Sequence, residues 1–143
     1  MKISKTRDVR TPSRGTELSA GIDFFVPNEF EEFTLDPGED ARILSGIKVQ
    51  IPENHVLIAF NKSGVALKKG LMVGACVVDE DYQGEISLHV IATKKTKILP
   101  GEKLVQFVLL PVSYDSLDVV PESELFDEET SRGSGGFGST GTR

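Results

Sequence analysis

The sequence predicts an all-β fold with at most one short helix. Short apolar or alternating runs recur at a spacing of roughly 8–12 residues and are separated by turn residues. No long segment places apolar residues at i, i+3, i+4 and i+7, which is the pattern of an amphipathic helix. Many short strands at this spacing are typical of a sandwich or a barrel.

The predicted strands follow one another along the chain. Ile47–Ile51 alternates and stops at Pro52. The acidic residues between the fourth and fifth strands indicate a β-hairpin with a long loop. One short helix is predicted between Ser63 and Gly70. The predicted strands are Ile22–Val26, Ile47–Ile51, Val56–Phe60, Ala75–Val78, the alternating residues Ile86, Leu88 and Val90, and Leu104–Val112.

The last of these strands is apolar on both faces except at Gln106. Such a strand has to be covered on both sides. The cover on one side is either a second subunit or the core of a monomer, and the strand itself favours neither.

Composition limits the class of protein. The chain has 143 residues, 38% hydrophobic and 27% charged, which indicates one soluble globular domain. A net charge of −6 argues against a general nucleic-acid binder. No apolar stretch approaches the ~20 residues that a membrane span needs. With no signal peptide and Cys76 as the single cysteine, we expect a cytoplasmic protein.

The composition changes near Ser113. Residues 115–130 are acidic, and residues 131–143 are almost entirely Gly, Ser, Thr and Arg around Phe137. We therefore expect a catalytic core over residues 1–126 and a flexible arm over 127–143. The arm is either a disordered tail or a lid whose glycine N–H groups, Arg132 and Phe137 hold a nucleotide.

Two further polar clusters leave two interpretations each. Asn61-Lys62-Ser63-Gly64 precedes the predicted helix, so it is either a phosphate site or an ordinary capped loop. Asp79 and Glu80 follow a predicted strand. One of these carboxylates either activates a water for attack on phosphorus or lies in a solvated turn.

In this order, the polar segments resemble the five motifs of the trimeric dUTPases. The opening residues Thr11–Gly15 are also similar to the start of that family. The third and fifth motifs are highly specific. The matching segments are Ala20–Phe24, Lys62–Ala66, Ala75–Glu85, Gly101–Gln106 and Arg132–Gly141.

The resemblance implies a distorted β-barrel or jelly-roll subunit and a homotrimer with sites shared between subunits. It implies Mg²⁺-dependent hydrolysis of dUTP to dUMP and pyrophosphate, which keeps uracil out of DNA and supplies dUMP for dTMP synthesis. Nucleic acids and membranes are not expected partners.

The resemblance also implies roles for single residues. Asp79 would activate the water that attacks the α-phosphorus, and Tyr82 would pack under the deoxyribose. Mg²⁺ would lie mainly on phosphate oxygens and waters, with Asp23 linked to it at most through water. The other implied substrate-binding residues are Lys62, Ser63, Gly64, Cys76, Val78, Glu85, Ile86, Gln106, Arg132, Phe137, Gly138, Ser139 and Thr140.

The chain departs from the family pattern at four positions. Lys62 replaces an arginine, which keeps the charge but loses the planar fork. Glu102 and Lys103 stand where Asp-Arg is usual, and Cys76 stands where glycine is usual. Two alternatives remain open, a dCTP deaminase or bifunctional relative and a dUTPase-like regulatory protein that binds a partner through its acidic residues.

Overall fold

The computed structural model describes residues 1–137, 139 and 141. The chain forms two compact units, Met1–Ser113 and Tyr114–Arg143. The predicted division into a core over 1–126 and an arm over 127–143 concerns function and stays a prediction.

The first unit is built from short antiparallel strands, which confirms the predicted all-β class. The strands are β1 (Lys2–Lys5), β2 (Ser13–Arg14), β3 (Ile22–Phe25), β4 (Phe33–Leu35), β5 (Asp40–Leu44), β6 (Ile47–Gln50), β7 (His55–Asn61), β8 (Leu71–Val73), β9 (Val77–Val78), β10 (Ser87–Ala92), β11 (Thr96–Ile98) and β12 (Lys103–Pro111).

The strands form a five-stranded sheet in the order β2-β3-β12-β7-β9 and a three-stranded sheet in the order β5-β10-β8. The pairs β1-β6 and β11-β4 complete the architecture. In the larger sheet, β12 lies between β3 and β7, with Gln106 opposite both Asp23 and Phe60.

Alternation along the strands creates the core. In β5, Ala41 and Ile43 are buried while their neighbours are exposed, since successive side chains of a strand point to opposite faces. β10 repeats this pattern. The most deeply buried large side chains are Phe24, Phe107, Ile47, Leu57, Leu71, Ile86, Leu88, Ile98, Leu104, Val9, Val26 and Val90.

The predicted helix is confirmed as α1, Ser63–Lys69. It is the single α-helix of the described part of the chain. Lys68 and Lys69 lie in its last turn, where cations stabilise the negative end of the helix dipole. Gly70 ends it in a left-handed conformation and donates its N–H to the Ala66 carbonyl oxygen at 3.1 Å.

The predicted hairpin around the acidic loop is wrong. β9 pairs with β7 in the larger sheet, whereas β10 pairs with β5 and β8 in the smaller one. The predicted strand Ala75–Val78 shortens to Val77–Val78, because only these two residues pair in register with β7, opposite Leu57 and Ile58. The acidic loop therefore connects two sheets.

The second unit contains little regular structure. A short 3₁₀ turn covers Glu122–Glu124, and hydrogen bonds between near neighbours form further turns. Large apolar side chains such as Leu117 and Phe126 are exposed. Over the described residues of both units, no helix is long and apolar enough to cross a membrane.

Candidate active site

The acidic segment, residues 75–86, surrounds a cavity of about 150 Å³. Five of the predicted site residues line it, and so do four residues that were not predicted. The lining consists of Ala75, Cys76, Val77, Val78, Asp79, Tyr82, Ile86, Ser87 and Phe107. The Cys76 carbonyl oxygen accepts a hydrogen bond from the Ala59 N–H at 2.8 Å, which fixes this wall to β7.

The two adjacent carboxylates of the segment have different surroundings. Asp79 lies at the end of β9, is exposed and lines the cavity. Glu80 is less exposed and accepts a hydrogen bond from the Asn54 N–H at 2.8 Å. Strand alternation predicts such a divergence for neighbours. Asp79 is thus the carboxylate presented to a molecule in the cavity.

The Tyr82 ring is held in place beside the cavity. The backbone N–H of Tyr82 donates to the Asp79 carbonyl oxygen at 3.1 Å, and the hydroxyl of the ring donates to the Glu85 carbonyl oxygen at 3.1 Å. The ring packs directly on Gly84, where a Cβ would overlap the phenol. The glycine of the motif is therefore a steric requirement of this ring position.

Glu85 holds the downstream end of the acidic segment. One oxygen, Oε1, accepts from the Gly46 N–H at 2.6 Å and from Arg7 Nε at 2.9 Å. The hydrogen bond to Glu85 raises the pKa of Arg7, and the negative charge of Glu85 raises it further. Its carboxylate is thus occupied by the protein, so the predicted substrate contact of Glu85 is left to its backbone.

A second polar cluster surrounds Asp23 on β3. This carboxylate is 6% exposed, and its two oxygens form ion pairs with Lys62 and Lys103. The distance from Lys103 Nζ to Asp23 Oδ2 is 3.2 Å. Two of the departures from the family pattern thus bind one buried carboxylate, which aligns both ammonium groups at the same place.

Gln106 lies in the same cluster. It is opposite Asp23 in the sheet, and its Nε2 donates to the Asn61 carbonyl oxygen at 2.8 Å. Ser63 and Gly64 form the exposed start of α1, directly after Lys62. The predicted phosphate contacts are therefore neighbours in the fold, but the cavity lining includes none of them among the described residues.

Glu102, the other departure in the fourth motif, forms a structural ion pair. Its two oxygens accept from Lys69 Nζ at 2.5 and 2.6 Å, and Oε2 also accepts from the Leu99 N–H at 3.0 Å. This contact connects the end of α1 to the turn before β12.

Three predicted residues of the arm, Arg132, Phe137 and Ser139, are exposed. Arg132 Nε donates to the Gly135 carbonyl oxygen at 2.9 Å, and the Ser139 N–H donates to the Gly136 carbonyl oxygen at 3.0 Å. Phe137 is fully exposed. Gly138 and Thr140 lie outside the described residues.

Sequence reasoning missed four cavity residues, Ala75, Val77, Ser87 and Phe107. The first two adjoin predicted residues, and strand alternation gave no reason to include both faces. Phe107 follows Gln106 on β12 and stacks at 4.6 Å on Phe24, so its pattern indicates only a core residue. No local signal could have placed it beside Asp79, which is distant along the chain.

The family model for dUTPase matches residues 7–141. This chain belongs to the dUTPase family. It is 35% identical over 146 residues to the deoxyuridine 5'-triphosphate nucleotidohydrolase of Desulfitobacterium hafniense, an alignment that covers 97% of this chain and 92% of that protein.

Solved dUTPases share the fold. The dUTPase of Staphylococcus bacteriophage 80alpha with dUpNHpp matches at a TM-score of 0.86 and 25% identity, covering 98% of this chain and 97% of that one. An Asp-to-Asn mutant of the dUTPase from phage phi11 of S. aureus matches at a TM-score of 0.74 and 25% identity, covering 85% and 96%. The phi11 structure reports the coordination of a structural Mg(II) ion.

The donor groups of this dUTPase do not form a protein cage for a metal. Within residues 1–137, 139 and 141, no three His, Cys, Asp or Glu side chains are grouped so that they could hold an ion. The buried Asp23 carboxylate is already paired with two ammonium groups. These donors fit a Mg²⁺ that retains waters and binds mainly to substrate phosphates, as Mg²⁺ commonly does.

Proposed function

We propose that this dUTPase hydrolyses dUTP to dUMP and pyrophosphate with Asp79 as the general base. One observation carries the proposal. In a chain of this family, the Asp79 carboxylate and the Tyr82 ring line one cavity of about 150 Å³.

The cavity has room for the base rather than for a whole nucleotide. A cavity of about 150 Å³ is enough for a single six-membered ring such as benzene. Uracil is such a ring, and the edges of the acidic segment offer backbone N–H and C=O groups for its polar atoms. The buried ring of Phe107 and the side chain of Ile86 supply the apolar part of the lining.

Tyr82 would select a deoxyribose. Its hydroxyl is bonded to the Glu85 carbonyl oxygen and its ring packs on Gly84, and these two contacts hold the ring beside a sugar. A fixed ring under the sugar leaves no room for an added 2′-hydroxyl. A ribonucleotide would therefore bind less tightly, because its 2′-hydroxyl would lose its bonds to water without gaining a partner.

Asp79 would perform the chemical step. The carboxylate takes a proton from a water, and the oxygen of that water forms a bond to the α-phosphorus. The bond from the α-phosphorus to the oxygen that bridges to the β-phosphorus breaks, and pyrophosphate leaves with that oxygen. A general base of this kind contributes roughly 10²- to 10⁴-fold to the rate.

The triphosphate would bind outside the cavity. Lys62 and Lys103 present ammonium groups at Asp23, and Ser63 and Gln106 add a hydroxyl and an amide nearby. Bound Mg²⁺ would neutralise charge on the phosphate oxygens. Asp23 orients the lysines, and a link from Asp23 to the metal through water stays a prediction.

We also propose that the active enzyme is a homotrimer. In one chain, the cavity and the phosphate cluster are separate, so a shared site is completed by a neighbour. The five-stranded sheet has an apolar outer face that fits such an interface. Register places Phe60, Ile58 and Val56 of β7 opposite Gln106, Val108 and Leu110 of β12, with Val77 of β9 beside Ile58.

The proposed interface can be tested by placing a charge on this face. Phe60 and Val77 are 43% and 59% exposed in the single chain. We expect wild type to be a trimer by light scattering and Val108→Lys to dissociate it, because a buried unpaired ammonium is costly at an interface. A monomeric wild-type protein with full dUTP turnover would exclude the shared site.

The arm would close over the bound nucleotide. Arg132 and Ser139 would contact the γ-phosphate, and Phe137 would stack on uracil, which explains a fully exposed ring in a polar segment. Gly138 and Thr140 are proposed contacts of the same lid.

The decisive experiment is pyrophosphate release measured with dUTP, UTP, dTTP and dCTP in the presence of Mg²⁺. Turnover of dUTP far above the other three is expected. The Tyr82 ring would exclude the ribose of UTP, the small cavity would exclude the methyl group of dTTP, and the backbone N–H and C=O groups would distinguish uracil from cytosine. Ammonia release from dCTP would instead favour the deaminase relative. An absence of turnover with all four, together with tight binding of a protein partner, would favour the regulatory alternative.

A further inference from the structure

His89 on β10 connects the start of the acidic segment to β5. Its Nδ1 lies 2.7 Å from the Ala75 backbone nitrogen, and its Nε2 lies 3.0 Å from Asp40 Oδ2. A backbone N–H can only donate, so Nδ1 has to be the acceptor. The ring proton then lies on Nε2, which donates a hydrogen bond to Asp40. These contacts require the neutral imidazole in one tautomer.

The backbone of His89 holds the preceding residue. Its carbonyl oxygen accepts from the Gly74 N–H at 3.0 Å. The imidazole packs directly on Gly74, where a Cβ would overlap the ring. Residues 74 and 75 are therefore held by the backbone and the side chain of one residue, just where the chain enters the cavity wall.

The far end of the acidic segment is held differently. Ile86 exchanges backbone bonds with the turn before β6, from the Ser45 N–H at 3.0 Å and to the Ile47 carbonyl oxygen at 2.8 Å. The upstream end depends on the side chain of His89.

We propose that His89 is a positioning residue for nucleobase binding, which acts by accepting the Ala75 N–H and so fixing the Ala75–Cys76 wall of the cavity. This inference rests on the proposed function of the cavity. It predicts that the affinity for dUTP depends on His89 far more than the chemical step does.

Two amide variants separate the two ring nitrogens. In His89→Asn, the amide oxygen takes the place of Nδ1 and can accept from Ala75, but the contact with Asp40 is lost. In His89→Gln, the amide reaches the place of Nε2 and can bond Asp40, but nothing accepts from Ala75. The variants are thus matched, each retaining one of the two contacts.

Steady-state kinetics with dUTP tests the proposal. We expect His89→Gln to raise KM about tenfold, because the cavity wall loses the contact that holds it, with kcat within about threefold. His89→Asn should stay within about threefold of wild type in both.

Two outcomes would overturn the proposal: equal KM values for the two variants, or a loss confined to kcat. If His89→Gln does not fold by circular dichroism, His89→Asn decides. It keeps an acceptor for the Ala75 N–H, so a KM raised about tenfold in this variant would also overturn the proposal.

The positioning role and the proposed function can be refuted separately. If wild-type protein turns over dUTP and the KM is unchanged by substitution of His89, only the positioning role is refuted. Wild-type protein without dUTP turnover would overturn the proposed function and this inference together.

Discussion

The acidic segment and the arm carry the two most specific sequence motifs, yet they are held in opposite ways. The acidic segment is bonded to the strands around it, through Cys76 to β7, through Ala75 to His89, and through Glu85 to Gly46. The described part of the arm forms local turns, with Arg132 and Phe137 exposed. A specific motif therefore does not imply a preformed site.

This difference separates the two proposed tasks. The groups proposed to recognise the base and activate water lie in a segment that is bonded to the strands around it, as a precise chemical step requires. The groups proposed to bind the γ-phosphate lie in the arm, as is common for a lid that closes over substrate.

The largest effect is expected at the cavity. Asp79→Asn keeps the shape of the side chain but cannot accept a proton, so turnover of dUTP should fall about 10²- to 10⁴-fold. Binding of dUpNHpp, measured by calorimetry, should be retained because the cavity wall is unchanged.

Asp81→Asn is the matched control for Asp79. Asp81 is an exposed carboxylate of the same segment, but it is absent from the lining of the 150 Å³ cavity among the described residues. Its turnover should stay within about threefold of wild type, because Asp81 is exposed and does not line the cavity. Equal losses in the two variants would contradict the assignment of the base.

Removal of the arm should have the next largest effect. Ending the chain at Ser131 removes Arg132 and Phe137, and turnover should fall by about 10²- to 10³-fold, as for a lost donor to developing charge. The melting temperature should hardly change, because every buried core residue lies before Ser113. A truncated enzyme with wild-type turnover would eliminate the lid.

Phe137→Ala isolates the stacking contribution of the arm. Stacking of a base on an aromatic ring is worth about 1–3 kcal/mol. We therefore expect KM for dUTP to rise by about tenfold, with the melting temperature unchanged because the ring is fully exposed in the single chain. A melting temperature that falls with this variant would instead assign Phe137 to packing.

The sequence predicted local secondary structure well, but it did not predict which strands pair. The alternation of Ile47–Ile51 and the position of α1 are visible in the residues and are confirmed. The hairpin was wrong because alternation shows that Val77–Val78 is a strand but not that it pairs with Leu57 and Ile58. Register between distant strands is set by the whole packed core, not by a local pattern.

The candidate site divides along the same line. Asp79 and Tyr82 were found through motifs, and the structure places both at one cavity. The shared use of Asp23 by Lys62 and Lys103 was not predictable, since these residues lie on three different elements. His89 lies within an apolar strand, and its contacts with Asp40 and Ala75 are visible only in the folded sheet.

A smaller effect is expected at Asp23, where the two lysines differ in exposure. Lys62 is 18% exposed and Lys103 is 55% exposed. Lys62→Met should lower the free energy of unfolding by about 1–3 kcal/mol, because a buried carboxylate loses a partner. Lys103→Met should cost less than about 1 kcal/mol, as for an exposed pair. Urea unfolding of both variants measures the difference.

The smallest effect is expected at the downstream end of the acidic segment. Glu85→Gln keeps an oxygen that can accept from the Gly46 N–H, but it removes the charge that binds Arg7. Since Arg7 is solvent-exposed, salt screens the pair, and the small loss of stability at low ionic strength should disappear in high salt. Glu85→Ala should lower the free energy of unfolding further at every ionic strength, because it also leaves the Gly46 N–H without an acceptor. A loss in Glu85→Gln as large as in Glu85→Ala would mean that charge holds this end. If instead Glu85→Gln is nearly silent, the Gly46 contact and the backbone bonds of Ile86 to Ser45 and Ile47 hold this end.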